Sequence, residues 1–329
     1  MRTHFLKFKF GQWARRGMRR IGPDALWPEV EVSDEPVAPH DVIVLVTAGR
    51  ALAKVHPTAF GRPEPTPLQA RGCVKAHLGA ALHLARLAEG VSISVNLSDG
   101  DLPSGARFAF SAAPGGVVPL PDPYFIYSRG FAEFREAAKQ AARPWAERSD
   151  RLVWRGGANG QGYRNFAPGF RDHPALVQRI RAAHVARDLG LDFGFVAVRD
   201  NADQRLLAHT GFSRGRVNST DWGGMKFALD IDGYTNTWDN LMHRMMLGCC
   251  LLKVESQFGY RQWYYDRLRP FEHFVPVRAD LSDLAEKLDW VCQNDAAARD
   301  IASAGQALVA EMTFETEMNW AGQRIREMA

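Results

Sequence analysis

Four cysteines in 329 residues are too few, and too poorly spaced, for a disulfide framework or a thiolate metal centre. Cys73, Cys249, Cys250 and Cys292 form no CxxC pair, and the adjacent two sit within an apolar run. They are expected as buried free thiols, which favours a reducing compartment. No stretch approaches the roughly 18 uninterrupted apolar residues that a membrane-spanning helix needs. The amino terminus, MRTHFLKFKFGQWARRGMRR, lacks an apolar core of signal-peptide length. Its aromatic and basic residues allow either a solvated terminal segment or one lying on an anionic membrane surface. His173, His184, His209, His243 and His273 show no HExxH or other metal-ligand spacing and read as structural or solvent-facing. Internal repeats and low-complexity tails are also missing.

What is present is an ordinary globular balance, 46% hydrophobic and 24% charged residues, which excludes a disordered or fibrous reading for most of the chain. The net charge of +4, from 41 basic and 37 acidic residues, permits a phosphate-bearing ligand but compels none. Basic residues interspersed with acidic ones give no support to nucleic-acid binding. The length suits two domains of roughly 150 residues each, although length alone would permit one large domain.

The pattern along the chain is that of an α/β protein. Residues 22–40, rich in proline and acid, read as loop, and Asp41–Thr47 as a β-branched strand. Residues 53–70 read as an irregular connection, 73–87 as a helix and 91–97 as a strand. Residues 114–129, rich in proline and aromatics, read as a cleft lining or a packed loop. A helix over 130–142 ends before Pro144 and Trp145, the expected domain boundary. Beyond it, Leu152–Trp154 reads as a strand, 174–187 as a helix and 193–198 as a strand. The segment DWGGMKFALDIDGYTNTWDNLMHRMMLGCCLLK then gives strand 227–231, a polar loop, a helix from about 241 and strand 249–254. Helices are expected over 281–290, capped by Ser282 and Asp283, and over 295–311 and 315–327.

Chemistry concentrates at strand ends, where α/β folds bind their ligands. Asp99 and Asp101, in SDGDLPSG after strand 91–97, can serve in proton transfer or metal binding, or form a solvated turn. RGGANGQGYRN offers Arg155, the amides of Gly156 and Gly157, and Arg164, groups suited to phosphate oxygens. Its spacing is neither GxxxxGK[ST] nor GxGxxG, and a Gly-rich surface loop is the other reading. Lys226 can reach a phosphate or stand as an exposed strand-edge lysine. Glu255 is placed to accept from vicinal hydroxyls. Phe258, Trp263, Tyr264 and Tyr265 can stack on a base or a sugar, and at least two of them are expected in the core.

In order, VNLSDGDLP, PLPDPYFIY, LVWRGGANGQGYR, MKFALDIDGYTNTWD, LLKVES, QWYYDRLRPFEHFVPVRADLSDLAEKLDWV and a terminal AxxIAxxGQ resemble the capsule-associated and lipopolysaccharide-modifying glycosyltransferases of family 90, whose eukaryotic members are protein O-glucosyltransferases. The resemblance covers about residues 75–315 and is most specific in the second half. It implies a GT-B-like fold, two Rossmann-like domains facing across a cleft: an irregular or basic segment 1–40, an acceptor-side domain 41–145, a nucleotide-binding domain 146–315 and a terminal helix 316–329 that crosses back. It also implies an inverting enzyme with no bound metal and no prosthetic group, using a nucleotide-sugar co-substrate, UDP-linked in most members.

The family's Asp-x-Pro base falls on Asp101, with Asp99 as competitor because residues are inserted after Asn96. Its donor-binding positions fall on Arg155, Gly156, Gly157, Arg164, Lys226, Asp232 and Gly233, with Thr237 and Glu255 toward sugar or ribose hydroxyls. TNTWD departs from eukaryotic members, which place an arginine near Asp239, and looks closer to bacterial ones. The expected acceptor is a surface glycan or a lipid-linked lipopolysaccharide or capsule precursor, in the cytoplasm or at the inner membrane. A sugar-nucleotide hydrolase or epimerase, and a non-catalytic glycan-binding protein, are the competing functions.

Overall fold

The computed structural model describes residues 2–60, 65–196, 205 and 207–328. The chain forms two compact units. The first comprises residues 1–132, 260–263 and 312–329, and the second residues 133–259 and 264–311.

The first unit opens with α1 (Arg2–Ile21), followed by strands β1 (Pro28–Val32), β2 (Asp41–Thr47) and β3 (Arg50–Val55), helix α2 (Pro65–Leu87) and strand β4 (Ile93–Asn96). Two short strands, β5 (Phe108–Ala109) and β6 (Val118–Pro119), and helix α3 (Pro123–Tyr127) complete its first stretch. Its sheet has the order β1-β3-β2-β4-β5-β6. β2 runs antiparallel to both β3 and β4, while the other neighbours are parallel. The reversal is a tight hairpin in which Ala48 and Gly49 both take positive φ, 47° and 74°, as the twist of a two-residue hairpin demands.

Three sequence expectations are corrected here. Residues 22–40 include β1. Residues 53–70 are not one irregular connection, because β3 ends at Val55 and α2 begins at Pro65. The amino-terminal segment is not merely solvated, because Phe10, Ala14, Met18 and Ile21 of α1 are buried. Proline misled the reading of 53–70: it is tolerated in a first helical turn, where the amide would have no intrahelical partner. α1 lies against α2 closely enough that a Cβ on Gly79 would sit 2.8 Å from the Ala14 carbonyl oxygen. The Tyr127 hydroxyl sits at this seam and bonds to α2, donating to Ala76 O and accepting from Ala80 N, each at 2.9 Å.

The second unit begins with most of α4 (Ala132–Ala141) and continues through β7 (Val153–Gly156), α5 (Gln178–Asp188), β8 (Asp192–Phe195), β9 (Phe227–Asp230), α6 (Asn240–Met246), β10 (Cys250–Val254) and β11 (Val275–Val277). α7 (Leu284–Gln293) and α8 (Asp295–Glu311) follow, and α9 (Phe314–Met328) belongs to the first unit. The strand order is β11-β10-β9-β7-β8 and every pairing is parallel. β9 and β10 are buried along their whole length, as expected of strands covered on both faces.

The expected strand, loop, helix and strand of 227–254 are all present. The expected strand 193–198 is seen as β8 over Asp192–Phe195, and residues 197 and 198 of that expectation lie outside the described residues. Residues 114–129 hold β6 and α3, the latter capped by Asp122 Oδ1 accepting from Phe125 N at 2.8 Å. Asp283 does not cap α7 with its side chain; its Oδ1 accepts from Arg278 N instead, at 2.9 Å. All four cysteines are free. Cys249 and Cys250 are buried as expected, Cys73 is half-buried and Cys292 is exposed. Trp263 and Tyr264 are buried and Phe258 is exposed.

Candidate functional site

In the second unit the first strand, β7, lies between the second, β8, and the third, β9. Chain connections therefore leave β7 and β9 in opposite directions. Their carboxyl ends form the crevice in which a doubly wound sheet binds its ligand. The loops entering it are 157–162 after β7 and 231–239 after β9.

Glycine is required in the first loop. Gly160 and Gly162 have φ of 158° and 112°, and a Cβ on Gly162 would meet the Ala175 carbonyl oxygen at 2.3 Å. Arg179, in the first turn of α5, ties the two loops together. It donates to Ile231 O at 3.0 Å, Gly157 O at 3.2 Å and Asn159 Oδ1, and burial lowers its pKa to about 10. The neighbouring Gln178 amide donates to Glu255 O at 2.8 Å and Ala279 O at 2.9 Å. One helical turn thus reaches the carboxyl ends of four parallel strands.

Asp230 closes β9. It is fully buried and accepts from Lys253 Nζ at 3.1 Å and from the Thr237 hydroxyl. Lys253 also donates to the Tyr265 hydroxyl at 3.2 Å. Asp232, two residues on, is 6% exposed, and its Oδ2 has no hydrogen-bond partner. Burial raises its pKa to about 6, opposed by the Lys253 ammonium and by hydrogen bonds from Ser256 and Asn236. An unpaired buried carboxylate oxygen is costly unless a ligand donor meets it.

The structure brings together Gly156, Gly157, Asp232, Gly233, Thr237 and Glu255 at the carboxyl ends of β7, β9 and β10. Glu255 is exposed there. Thr237 spends its proton on Asp230, which leaves its oxygen as an acceptor.

Lys226 does not join them, because it precedes β9 and so lies at the opposite end of that strand. Its ammonium pairs with Asp150 and Asp295 at 2.8 Å each, and these two hydrogen-bonded carboxylates raise its pKa. Arg155 is on β7, but its guanidinium is committed to the protein. It donates to Asp192 Oδ1 at 2.6 Å, Asp192 O at 2.7 Å, Trp154 O at 2.9 Å and Gly215 O at 3.0 Å. Arg164 is exposed in the 157–177 connection, its guanidinium 5.9 Å from the Phe166 ring centroid.

Replacing Arg155 with Met is therefore expected to cost about 1.5–3 kcal/mol of stability through lost charge-assisted bonds, measured by urea unfolding. Unchanged stability with lost nucleotide affinity would instead turn this guanidinium toward the ligand.

Asp101 and Asp99 lie in the first unit, just beyond β4. Asn96 Oδ1 accepts from Ser98 N at 2.8 Å and from the Ser98 hydroxyl at 2.7 Å. His40 Nε2 lies 3.0 Å from Pro103 O, and Asp41 accepts from the Ser104 hydroxyl at 2.6 Å and Gly105 N at 3.1 Å. Asn96 and Ser98 thus hold the amino-terminal flank of the Asp101 turn, and the residues entering β2 hold its carboxyl-terminal flank. Asp101 is half-buried, its Oδ1 has no hydrogen-bond partner, and burial raises its pKa, partly offset by its own backbone amide and by His40.

Arg179, Gln178, Asp230 and Lys253 were not read from the sequence. The last two left a signal there, as opposite charges inside the apolar runs FALDI and LLKV. The first two left none, being polar residues on an ordinary amphipathic pattern.

A parallel α/β sheet with polar loops at its switch point is a Rossmann-like arrangement. The glycosyl transferase family 90 model matches residues 131–319, more than half of the chain, and the protein belongs to that family. It is 27% identical over 180 residues to uncharacterized protein 179R of Invertebrate iridescent virus 6, a match covering 48% of this chain and 15% of the viral protein. It is 36% identical over 86 residues to protein O-glucosyltransferase 3 of Rattus norvegicus, covering 26% of this chain and 16% of that protein. With protein O-glucosyltransferase 2 of Danio rerio the identity is 27% over 163 residues, covering 49% and 29% respectively. The chain thus spans less than a third of each of these relatives. Among the described residues, no helix is long and apolar enough to cross a membrane.

Proposed function

We propose that this chain is an inverting, metal-independent glycosyltransferase that moves a sugar from a UDP-linked donor to a hydroxyl of a glycan or lipid-linked glycan, with a GT-B-like division of labour between its two units. The observation that carries the proposal is the overlap of the family-matched segment 131–319 with the parallel sheet and its switch-point crevice.

In this reading the second unit holds the nucleotide. Amides of the 156–162 loop and Arg164 meet the diphosphate, Asp232 Oδ2 accepts from a donor of the bound nucleotide sugar, and Glu255 accepts from the ribose. The first unit supplies the base. Asp101 takes the proton from the acceptor hydroxyl as that oxygen attacks the anomeric carbon from the face opposite the departing diphosphate. The bond to the diphosphate breaks as the new glycosidic bond forms, and loop amides with Arg164 stabilise the charge left on the leaving group. A carboxylate whose pKa is raised by burial suits this role, being a stronger base than an exposed aspartate.

Protein hydroxyls are a second acceptor reading, favoured by the protein O-glucosyltransferases among the relatives. Incubating the enzyme with a panel of UDP-sugars, with and without glycan and peptide acceptors, distinguishes the outcomes. Acceptor-dependent release of UDP supports a transferase. Free sugar or an isomerised donor without acceptor means a hydrolase or epimerase, and glycan binding with no turnover means a lectin-like protein.

A further inference from the structure

The basic excess of this chain is not spread evenly. α1 and the residues around it hold seven arginines and lysines before the first carboxylate, Asp24, out of 41 basic and 37 acidic residues in all. The remainder of the chain is net negative.

The helix divides this segment into two faces. Phe10, Ala14, Met18 and Ile21 recur at steps of three and four residues and are buried. Phe5, Phe8, Arg16 and Arg19 lie on the opposite side and are exposed, with Arg20 at the edge of that face. Phe5 and Phe8 are 59% and 51% exposed, and Phe8 lies 5.4 Å from the ring of Trp27, itself 44% exposed. Three large aromatic side chains therefore stand in solvent at one end of a helix whose other end presents arginines. No core contact explains the exposure of the two phenylalanines, since the helix already buries its other side.

We propose that the outer face of α1 docks this protein on an anionic lipid bilayer. Phe5, Phe8 and Trp27 enter the boundary between headgroups and acyl chains, and Arg16, Arg19 and Arg20 meet the lipid phosphates. The occupant is lipid rather than a free polyanion because the cations alone would serve a polyanion. An apolar cluster gains most from an interface that takes up apolar surface and attracts positive charge together. The helix lies in the plane of the surface, since its inner face is held by the protein. The inference does not depend on the activity proposed above, because its readout is binding.

The test is sedimentation of the full chain with phosphatidylcholine vesicles, alone or with a third of phosphatidylglycerol. Binding is expected only to the anionic vesicles and should fall as salt is raised. Replacing Arg16 and Arg19 together with Gln should weaken it about 30-fold, from roughly five-fold per cation. Replacing Phe5 and Phe8 with Ser should weaken it by at least ten-fold. All four side chains are exposed, so unchanged thermal melting is expected and serves as the folding control. No binding to anionic vesicles overturns the proposal. Binding that Phe5→Ser with Phe8→Ser leaves unchanged, or equal retention of wild type and this variant on heparin and on vesicles, also overturns it and points to a polyanion surface.

Discussion

Replacing Asp101 with Asn is expected to lower kcat for transfer by about 10²–10⁴-fold with UDP binding unchanged. The substitution keeps the shape of the turn and removes only the ability to take a proton. The turn itself is held by other groups: Asn96 and Ser98 on one side, His40 and Asp41 on the other, none of which bonds to the Asp101 side chain. A folding defect is therefore not expected, and urea unfolding at neutral pH should find the variant at least as stable as wild type, because burial already disfavours the Asp101 carboxylate.

Asp99 provides the comparison. If Asp99→Asn abolishes transfer and Asp101→Asn does not, the base is Asp99. If neither matters, proton transfer is not carried by this turn. The pH profile supplies a second check: kcat/KM should fall on the acid side with an apparent pKa above the usual carboxylate range, because burial raises that of Asp101.

Replacing Asp232 with Asn is expected to stabilise the unliganded protein at pH 8 and to change little at pH 3.5. The folded-state pKa of Asp232 is raised from 3.8 to about 6, chiefly by burial. A raised folded-state value means that folding favours the protonated carboxyl. Its contribution is complete below 3.8 and is lost as pH rises through about 6. At pH 8 the wild-type protein therefore carries a buried charge whose Oδ2 has no partner, at a cost of about 2–3 kcal/mol. Asparagine removes that charge and keeps the shape. Thermal melting at the two pH values reads the difference directly. Equal stability of the two proteins at pH 8 would mean that the carboxylate is already satisfied there. The same geometry predicts proton release when a donor group of the nucleotide sugar binds Oδ2 near pH 6, measurable as a dependence of the binding heat on buffer ionisation.

The part of the site that was legible in the sequence is the part written in local pattern. The run from Phe227 through the DGYTNTWD loop to Val254 alternates apolar strand, polar loop and apolar helix so sharply that β9, α6 and β10 follow from it, and with them the position of Asp232, Gly233 and Thr237. α8 and α9 were similarly clear from their periodicity.

What was not legible depends on partners far away in the chain. Arg155 and Lys226 are cations in plausible places, and only the fold shows that Asp192 occupies the first and Asp150 with Asp295 the second. Arg179 looked like one more surface arginine on α5, yet it bridges the loops after β7 and β9. The Ala48-Gly49 hairpin was missed because β3 is alanine-rich, with Val55 its one β-branched residue, and this hairpin gives the first unit a mixed sheet where a Rossmann-like domain was expected. The amino-terminal helix was missed because its buried face holds only four apolar side chains among seven cations. The return of residues 260–263 and 312–329 to the first unit is fixed by contacts such as that from Trp263 Nε1 to the buried Glu317 carboxylate, 2.7 Å, which no local pattern encodes.

The central claim is that the second unit is a nucleotide-sugar site working without a metal. Calorimetric titration of the full chain with UDP and UDP-sugars in the presence of EDTA tests it most directly. The account predicts saturable binding of UDP, weaker binding of GDP and CMP, no change on adding manganese, and loss of affinity when Asp232 or Arg164 is replaced by Ala in protein that melts as a folded chain. Absence of UDP binding by well-folded protein, or binding that appears only with manganese, would contradict it.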